Sequence, residues 1–257
     1  MFRCKSLIEE NILYFILLIL LFLFLYISFF IIPYNLYSNR FENFNNQNET
    51  NMIDYYVIHI RSYTKRYKNI LNNQSKLNQG IKIFDGVIGK NLDLNDLSMF
   101  DPELKMNFDY TYINEIGCYL SHIMLIKSLI GKDNGYTVVF EDDFVIIDDN
   151  LNESIINIIS KLIDDFDIIF LGNLNNNHDN NIIDNIYSIN PNIPLWGTHA
   201  YLINNKNAKK IYNKLLNMDL AIDNKFKKLI DDKELNGLTI YPILVDQERH
   251  EYESSIR

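Results

Sequence analysis

The chain has 257 residues, 47% of them hydrophobic, and a formal net charge of −9. That length allows one large or two small domains with ample core. The acidic balance and the lack of any basic block exclude nucleic acid as an expected partner. The two cysteines, Cys4 and Cys118, provide no disulfide framework, and no zinc ligand set can be built from Cys. Heavy use of Asn and Ile reads as codon bias, which weakens arguments from Asn-rich loops.

Residues 1–11 form a short N-terminal segment, and residues 12–32 carry no charge. A helix over 12–32, at about 1.5 Å per residue, spans a bilayer core of about 30 Å. The flank from Phe29 to Tyr34 is bulky, unlike the small-residue site of a cleaved signal peptide. Arg3 and Lys5 precede the span, which places the N-terminus in the cytoplasm. The expectation is a single-pass membrane protein with its body in a lumen of the ER/Golgi kind or on the exterior. Residues 33–52 are polar and read as a flexible stem. Three glycosylation-type triplets begin at Asn48, Asn73 and Asn152 and are compatible with a lumenal body.

The folded domain is expected over 53–257. Residues 55–60 predict a strand, a helix follows to about Lys76, and 81–84 predict a second strand, a βαβ order. Gly86 and Gly89 then read as turns. Asn114 is the expected N-cap of an apolar helix over 115–130 that Gly131 stops. On it Cys118 and His122 are four apart and share a face. A buried structural pair is the favoured reading there, with a thiol–imidazole pair as the alternative.

Residues 136–145 are the centre of the reading. An apolar, β-branched run ends in Glu141, Asp142 and Asp143, as a buried strand of a mostly parallel sheet would. Ligands of open α/β sheets bind beyond the carboxyl ends of strands. Three carboxylates there suit a hard divalent cation that bridges to a phosphate, or else a solvated acidic turn. Ile155, Ile158, Ile159, Leu162 and Ile163 predict an amphipathic helix, and 167–172 another buried strand. The Asn-rich segment 173–181 reads as a mobile loop, either a lid or filler. A strand entered through Gly197, a helix with Ala208, Ile211, Tyr212, Leu215 and Leu216 on one face, and a final strand over 238–245 follow. Pro242 puts that last strand at an edge or a bend. The layout is a doubly wound α/β domain.

Several segments resemble the motifs of the family-25 glycosyltransferases, which include lipooligosaccharide and procollagen galactosyltransferases. Asn114-Glu115-Ile116-Gly117-Cys118-Tyr119-Leu120-Ser121-His122 is similar to that family's "GEIGC-x-x-SH" segment. Glu141-Asp142-Asp143 lies in its "LEDD" segment, and Gly197-Thr198-His199-Ala200-Tyr201-Leu202-Ile203 matches "GTHAYLI". Val57 to Arg66 and Phe84 to Gly89 resemble its "INL…R" and "AVDG" segments. His59, Thr64 and Asn114 depart from the family's usual Asn, Pro and Gly.

The resemblance implies a GT-A-type (Rossmann-like) fold and inverting transfer of a hexose, galactose or glucose. The donor would be a UDP-sugar, used with Mn²⁺ (or Mg²⁺). The acceptor would be a hydroxyl on a glycan or a collagen-like protein. In that reading Asp143 and His199 hold the metal. Arg66, Ser121, His122, Glu141 and Asp142 contact the donor. Asp223, with Asp246 behind it, is the candidate base. The alternative is a catalytically inactive membrane protein of the same fold that binds a sugar or a partner.

Overall fold

The chain enters the sheet through β1 (Ile53–His59), whose inward side chains Ile53, Tyr55 and Val57 are buried. The protein is described as a computed structural model over residues 52–94, 96–107, 113–132, 135–162 and 165–249. The candidate span at 12–32 and nearly all of the stem lie outside these residues. Among the described residues no helix is long and apolar enough to cross a membrane.

After β1 come α1 (Thr64–Gln74) and β2 (Lys82–Asp85). A 3-10 turn at Gly89–Asn91 and the short β3 (Lys105–Met106) lead to α2 (Ile113–Leu129). Asn114 therefore lies inside the first turn of α2 and does not cap it; Gly131, at φ +89°, stops the helix as expected. β4 (Tyr136–Glu141) is buried over its first five residues. Asp142 and Asp143 turn the chain into β5 (Phe144–Ile146), and α3 (Leu151–Leu162) follows.

β6 (Ile168–Phe170) is fully buried. A hairpin of β7 (Asn181–Ile183) and β8 (Ile186–Ser188) comes next, then β9 (Ala200–Asn204), with every residue buried. α4 (Ala208–Leu215), β10 (Asn217–Met218), α5 (Ile222–Asp231), β11 (Gly237–Ile240) and β12 (Val245–Gln247) complete the described fold.

The main sheet has the order β2-β1-β4-β9-β6-β11-β8-β7. β1 pairs in parallel with both β2 and β4, and β6 pairs in parallel with β11. β9 runs antiparallel between β4 and β6, and β8 antiparallel to β11. Six of the eight strands thus run one way, with β8 and β9 reversed: the sheet is mostly parallel, as expected, with antiparallel strands mixed in. Short apolar strands look the same in either direction, because burial on both faces removes alternation.

One face of the sheet carries Ile58, Val139, Phe170 and Tyr201 into a cluster with Leu120, Ile123, Ile211, Leu215 and Phe226 of α2, α4 and α5. On the other face Phe140 stacks on Phe144 at 4.2 Å and on Tyr55 at 6.1 Å. The Tyr55 hydroxyl donates to Asn152 of α3. Truncating a fully buried ring such as Phe170 to Ala costs about 3–5 kcal/mol.

Of the edge or bend expected at Pro242, the bend stands, since β11 lies inside the sheet between β6 and β8 and ends at Ile240. Two further expectations change. The segment expected as a mobile loop is knitted down. Asn173 Oδ1 accepts from the Asn177 N–H at 2.5 Å, and the buried Asn177 amide donates to the Ile193 carbonyl at 2.6 Å. Asn177 Oδ1 accepts from the Asn190 N–H at 2.7 Å. Asn73, head of one glycosylation-type triplet, is a buried structural residue that bridges Phe144 O and the Ile146 N–H.

Candidate functional site

The acidic rim is built by α1 reaching across to the turn after β4. Asp142 is buried and held on both oxygens: His59 Nδ1 lies 2.8 Å from Oδ2, and Arg66 Nη1 donates to Oδ1 at 2.5 Å. Asn69 donates to the main-chain carbonyls of Asp142 at 3.1 Å and Phe144 at 2.8 Å. The Asp142 carboxylate is therefore occupied in fixing the turn. His59, set apart in the sequence only as a departure from a motif, is one of its anchors.

Asp143 is equally buried, but one of its oxygens has no partner. Oδ2 accepts from Gln247 Nε2 at 3.1 Å and lies 3.2 Å from Arg66 Nη1, while Oδ1 is unpaired. Burial, then the charge of Glu141, push its carboxyl up to about 7, with Arg66 opposing. A buried carboxylate oxygen without a donor is costly, and a proton or a cation would relieve it.

His199 stands across from the end of β4, its carbonyl accepting from the Glu141 N–H at 3.0 Å. Its ring is fully buried. Nε2 lies 3.3 Å from the Val245 carbonyl and Nδ1 has no partner. Burial lowers its basicity, so the ring is neutral, with its proton on Nε2 and a lone pair on Nδ1. A Cβ on Gly172 would meet Val245 O at 1.9 Å and His199 Nε2 at 2.7 Å, so only glycine lets β12 pass there. β12 thus serves both residues: Val245 orients His199 and Gln247 orients Asp143. β12 pairs with β5, the strand that follows Asp143.

Glu141 points toward α2. It accepts from the Thr198 hydroxyl at 2.5 Å, and His122 Nε2 lies 3.4 Å from Oε1. Burial alone would raise its carboxyl; the neighbouring His122 imidazole and the Thr198 hydroxyl overcome this and hold it down to about 2. His122 Nδ1 in turn meets the Tyr201 hydroxyl at 2.7 Å.

A cleft of about 200 Å³ opens beside these groups. Arg66, Ser121, His122, Glu141 and Asp142 all line it, with Gly86 to Lys90 forming the opposite wall. Ser121 is structural: its hydroxyl donates to Gly117 O at 2.6 Å and accepts from the Val87 N–H at 2.8 Å. A Cβ on Gly117 would meet Val87 O at 2.6 Å, and one on Gly89 would meet Ile113 O at 2.2 Å. These two glycines let the wall and α2 touch backbone to backbone. The sequence signal was there, in Gly89 and Gly117, but it read as turns and motif letters.

Asp223 opens α5 in its first turn. Oδ1 accepts from the Asn224 N–H at 2.7 Å, and Oδ2 lies 3.4 Å from the Gly197 N–H. Burial raises its carboxyl, the two backbone donors oppose this, and the charge of Glu141 adds to the rise. Asp246 lies on β12 opposite Val145, half-buried, and accepts from the Gln247 N–H at 2.8 Å.

Of the expected site residues, Arg66, Ser121, His122, Glu141 and Asp142 line the cleft, while Asp143, His199, Asp223 and Asp246 are not among its lining residues. The model of the family described as Glycosyltransferase family 25 (LPS biosynthesis protein) matches residues 52–226. Among solved structures, the apo form of the glycosyltransferase GlyE from Streptococcus pneumoniae TIGR4 is similar at 9% identity, with a TM-score of 0.36. That likeness covers 73% of this chain and 44% of that one. No curated protein matches. With more than half of its length matched, the chain belongs to glycosyltransferase family 25.

Proposed function

We propose that the protein transfers a hexose, galactose or glucose, from a UDP-sugar to a hydroxyl of a glycan or collagen-like protein, with inversion. The observation that carries this reading is the pair of buried, unpartnered ligand atoms, Asp143 Oδ1 and His199 Nδ1. An oxygen and an imidazole nitrogen suit Mn²⁺, and Mg²⁺ less well. When bound, the cation supplies Lewis-acid neutralisation of the diphosphate leaving group. The mixed sheet with its ligands at the β4 rim is read as a GT-A-type fold.

The chain's own groups do the rest. The cleft walled by Gly86 to Lys90 takes the nucleotide, and Glu141, held ionised, faces the donor. His59 and Arg66 lock Asp142, so the turn that presents Asp143 does not shift on binding. The acceptor oxygen attacks the anomeric carbon as the bond to the β-phosphate oxygen breaks. The proton from the acceptor goes to the Asp223 carboxylate, whose raised affinity for it suits a general base. Asp246 stands on the strand behind the metal ligands.

We place the domain on the lumenal or exterior side of a membrane, anchored through residues 12–32. The test is UDP release from UDP-galactose and UDP-glucose with and without Mn²⁺. Asp143→Ala, shown to be folded by circular dichroism, should abolish the metal-dependent rate. Full turnover by that variant would remove the metal role. Absence of turnover by the parent with either donor and a panel of glycan acceptors would favour a binding protein.

A further inference from the structure

Cys118 and His122, one helical turn apart on α2, face Glu141 across the floor of the cleft. One ligand atom from each, Sγ, a ring nitrogen and a carboxylate oxygen, lie within 4.8 Å of one another. Asp143 and His199 are not part of this group. From this geometry we infer a second metal site, Cys118–His122–Glu141, which takes a thiophilic divalent cation such as Zn²⁺ or Co²⁺ with its fourth position open to the cleft.

The distances fit. Two nitrogen or oxygen ligands, each about 2.1 Å from a tetrahedral zinc, stand about 3.4 Å apart. His122 Nε2 and Glu141 Oε1 are 3.4 Å apart. That spacing is long for a hydrogen bond and right for two ligands of one ion. Cys118 closes the third corner from the same helix face, since residues i and i+4 stack.

The supporting contacts are also in place. A ligating imidazole donates its other N–H to an acceptor, which fixes the tautomer. His122 Nδ1 has the buried Tyr201 hydroxyl at 2.7 Å for this. Glu141 is oriented by the Thr198 hydroxyl at 2.5 Å. Cys118 is half-buried and lines the cleft, so an ion can reach it. Its thiol proton leaves to solvent as the Sγ–metal bond forms. Burial, and then the charge of Glu141, hold that thiol protonated without an ion, which keeps it from reacting as a free thiolate.

The chemistry separates this site from the rim. The thiolate favours zinc or cobalt here, while the rim offers no sulfur and suits the harder manganese. A zinc ion here would claim Glu141 and fill the cleft floor, so it should inhibit. That consequence rests on reading the cleft as the donor pocket; the binding itself does not.

The test uses the full-length chain with Cys4→Ser, so that one thiol remains. Co²⁺ added without nucleotide should give a one-to-one adduct with an intense thiolate-to-cobalt band in the near ultraviolet. Stoichiometric Zn²⁺ should bleach it. Cys118→Ser should remove the band, Glu141→Gln should weaken Co²⁺ binding about 10-fold or more, and Asp143→Asn should leave the band in place. No band in the parent, a band that survives Cys118→Ser, or one indifferent to Glu141→Gln would each overturn the site. Micromolar Zn²⁺ inhibition of UDP release that Cys118→Ser relieves would extend the inference to regulation. Inhibition equal in both proteins would remove the regulatory part while the spectrum stands.

Discussion

Replacing Gly117 by Ala puts a methyl group where α2 meets the cleft wall. Its Cβ would sit 2.6 Å from Val87 O, 2.7 Å from Gly89 N and 3.0 Å from Gly89 Cα. Ordinary contact begins about 3.5 Å apart, so helix and wall must separate by most of an ångström. All three neighbours are backbone atoms, which cannot swing aside as a side chain would. Overpacking of this kind costs about 1–3 kcal/mol. One turn on, the Ser121 hydroxyl meets the Val87 N–H at 2.8 Å. Lengthening that bond by the same amount breaks it, for about another 1 kcal/mol. The better helix propensity of Ala returns about 1 kcal/mol, leaving a net loss of about 1–3 kcal/mol. Urea unfolding measures it, with Gly80→Ala as control, since nothing lies within 4 Å of a Cβ at Gly80. Because the same separation widens the cleft, UDP affinity measured by calorimetry should fall as well. A Gly117→Ala protein as stable as its parent, with unchanged UDP affinity, would refute the close-approach argument.

Asp143 should show its burial in pH-dependent stability. Its carboxyl is raised to about 7 in the folded protein, so the stability tied to its proton is full below about pH 4 and lost as pH climbs through 7. Asp143→Asn has no such proton to lose. In EDTA its advantage over the parent should open over that window and reach roughly 2–4 kcal/mol at high pH; a pH-independent difference in urea unfolding would be the contrary result. Saturating Mn²⁺, at about 100 times its dissociation constant, should then stabilise the parent by about 2.7 kcal/mol and not the variant. Arg66→Met leaves Asp142 with His59 alone and Asp143 with Gln247, and should cost about 3–5 kcal/mol in thermal unfolding; Arg61→Met, at an exposed pair with Asp85, should change little. Asn177→Ala strands the carbonyl of Ile193 and the Asn190 N–H and should cost about 2 kcal/mol or more, whereas a mobile loop would not register the change. Asp223→Asn should lower kcat for transfer while leaving UDP affinity intact, read by steady-state kinetics and calorimetry.

The strands and helices were legible where burial left a pattern. The apolar run before Glu141 and the periodic faces of α3 and α4 appear where residue spacing put them. Strand direction was not legible, because β9 has the same buried, apolar look as its parallel neighbours. The β7–β8 hairpin was hidden in an Asn-rich stretch, where buried amides do what apolar side chains do elsewhere. Within the site, the five residues expected around the donor do line one cleft. Their jobs divide in a way that residue type does not reveal: Asp142 and Ser121 are consumed in holding backbone, while Asp143 keeps an oxygen open. His59, Asn69 and Gln247, which decide that division, lie far apart in sequence and belong to no shared pattern. The role of Cys118 is likewise set by which side chain the fold places opposite it.

Among the described residues β12 is the last strand, yet it aims both His199 and Asp143, through Val245 and Gln247. Under the proposed function, loss of β12 would leave both side chains without the contacts that orient them.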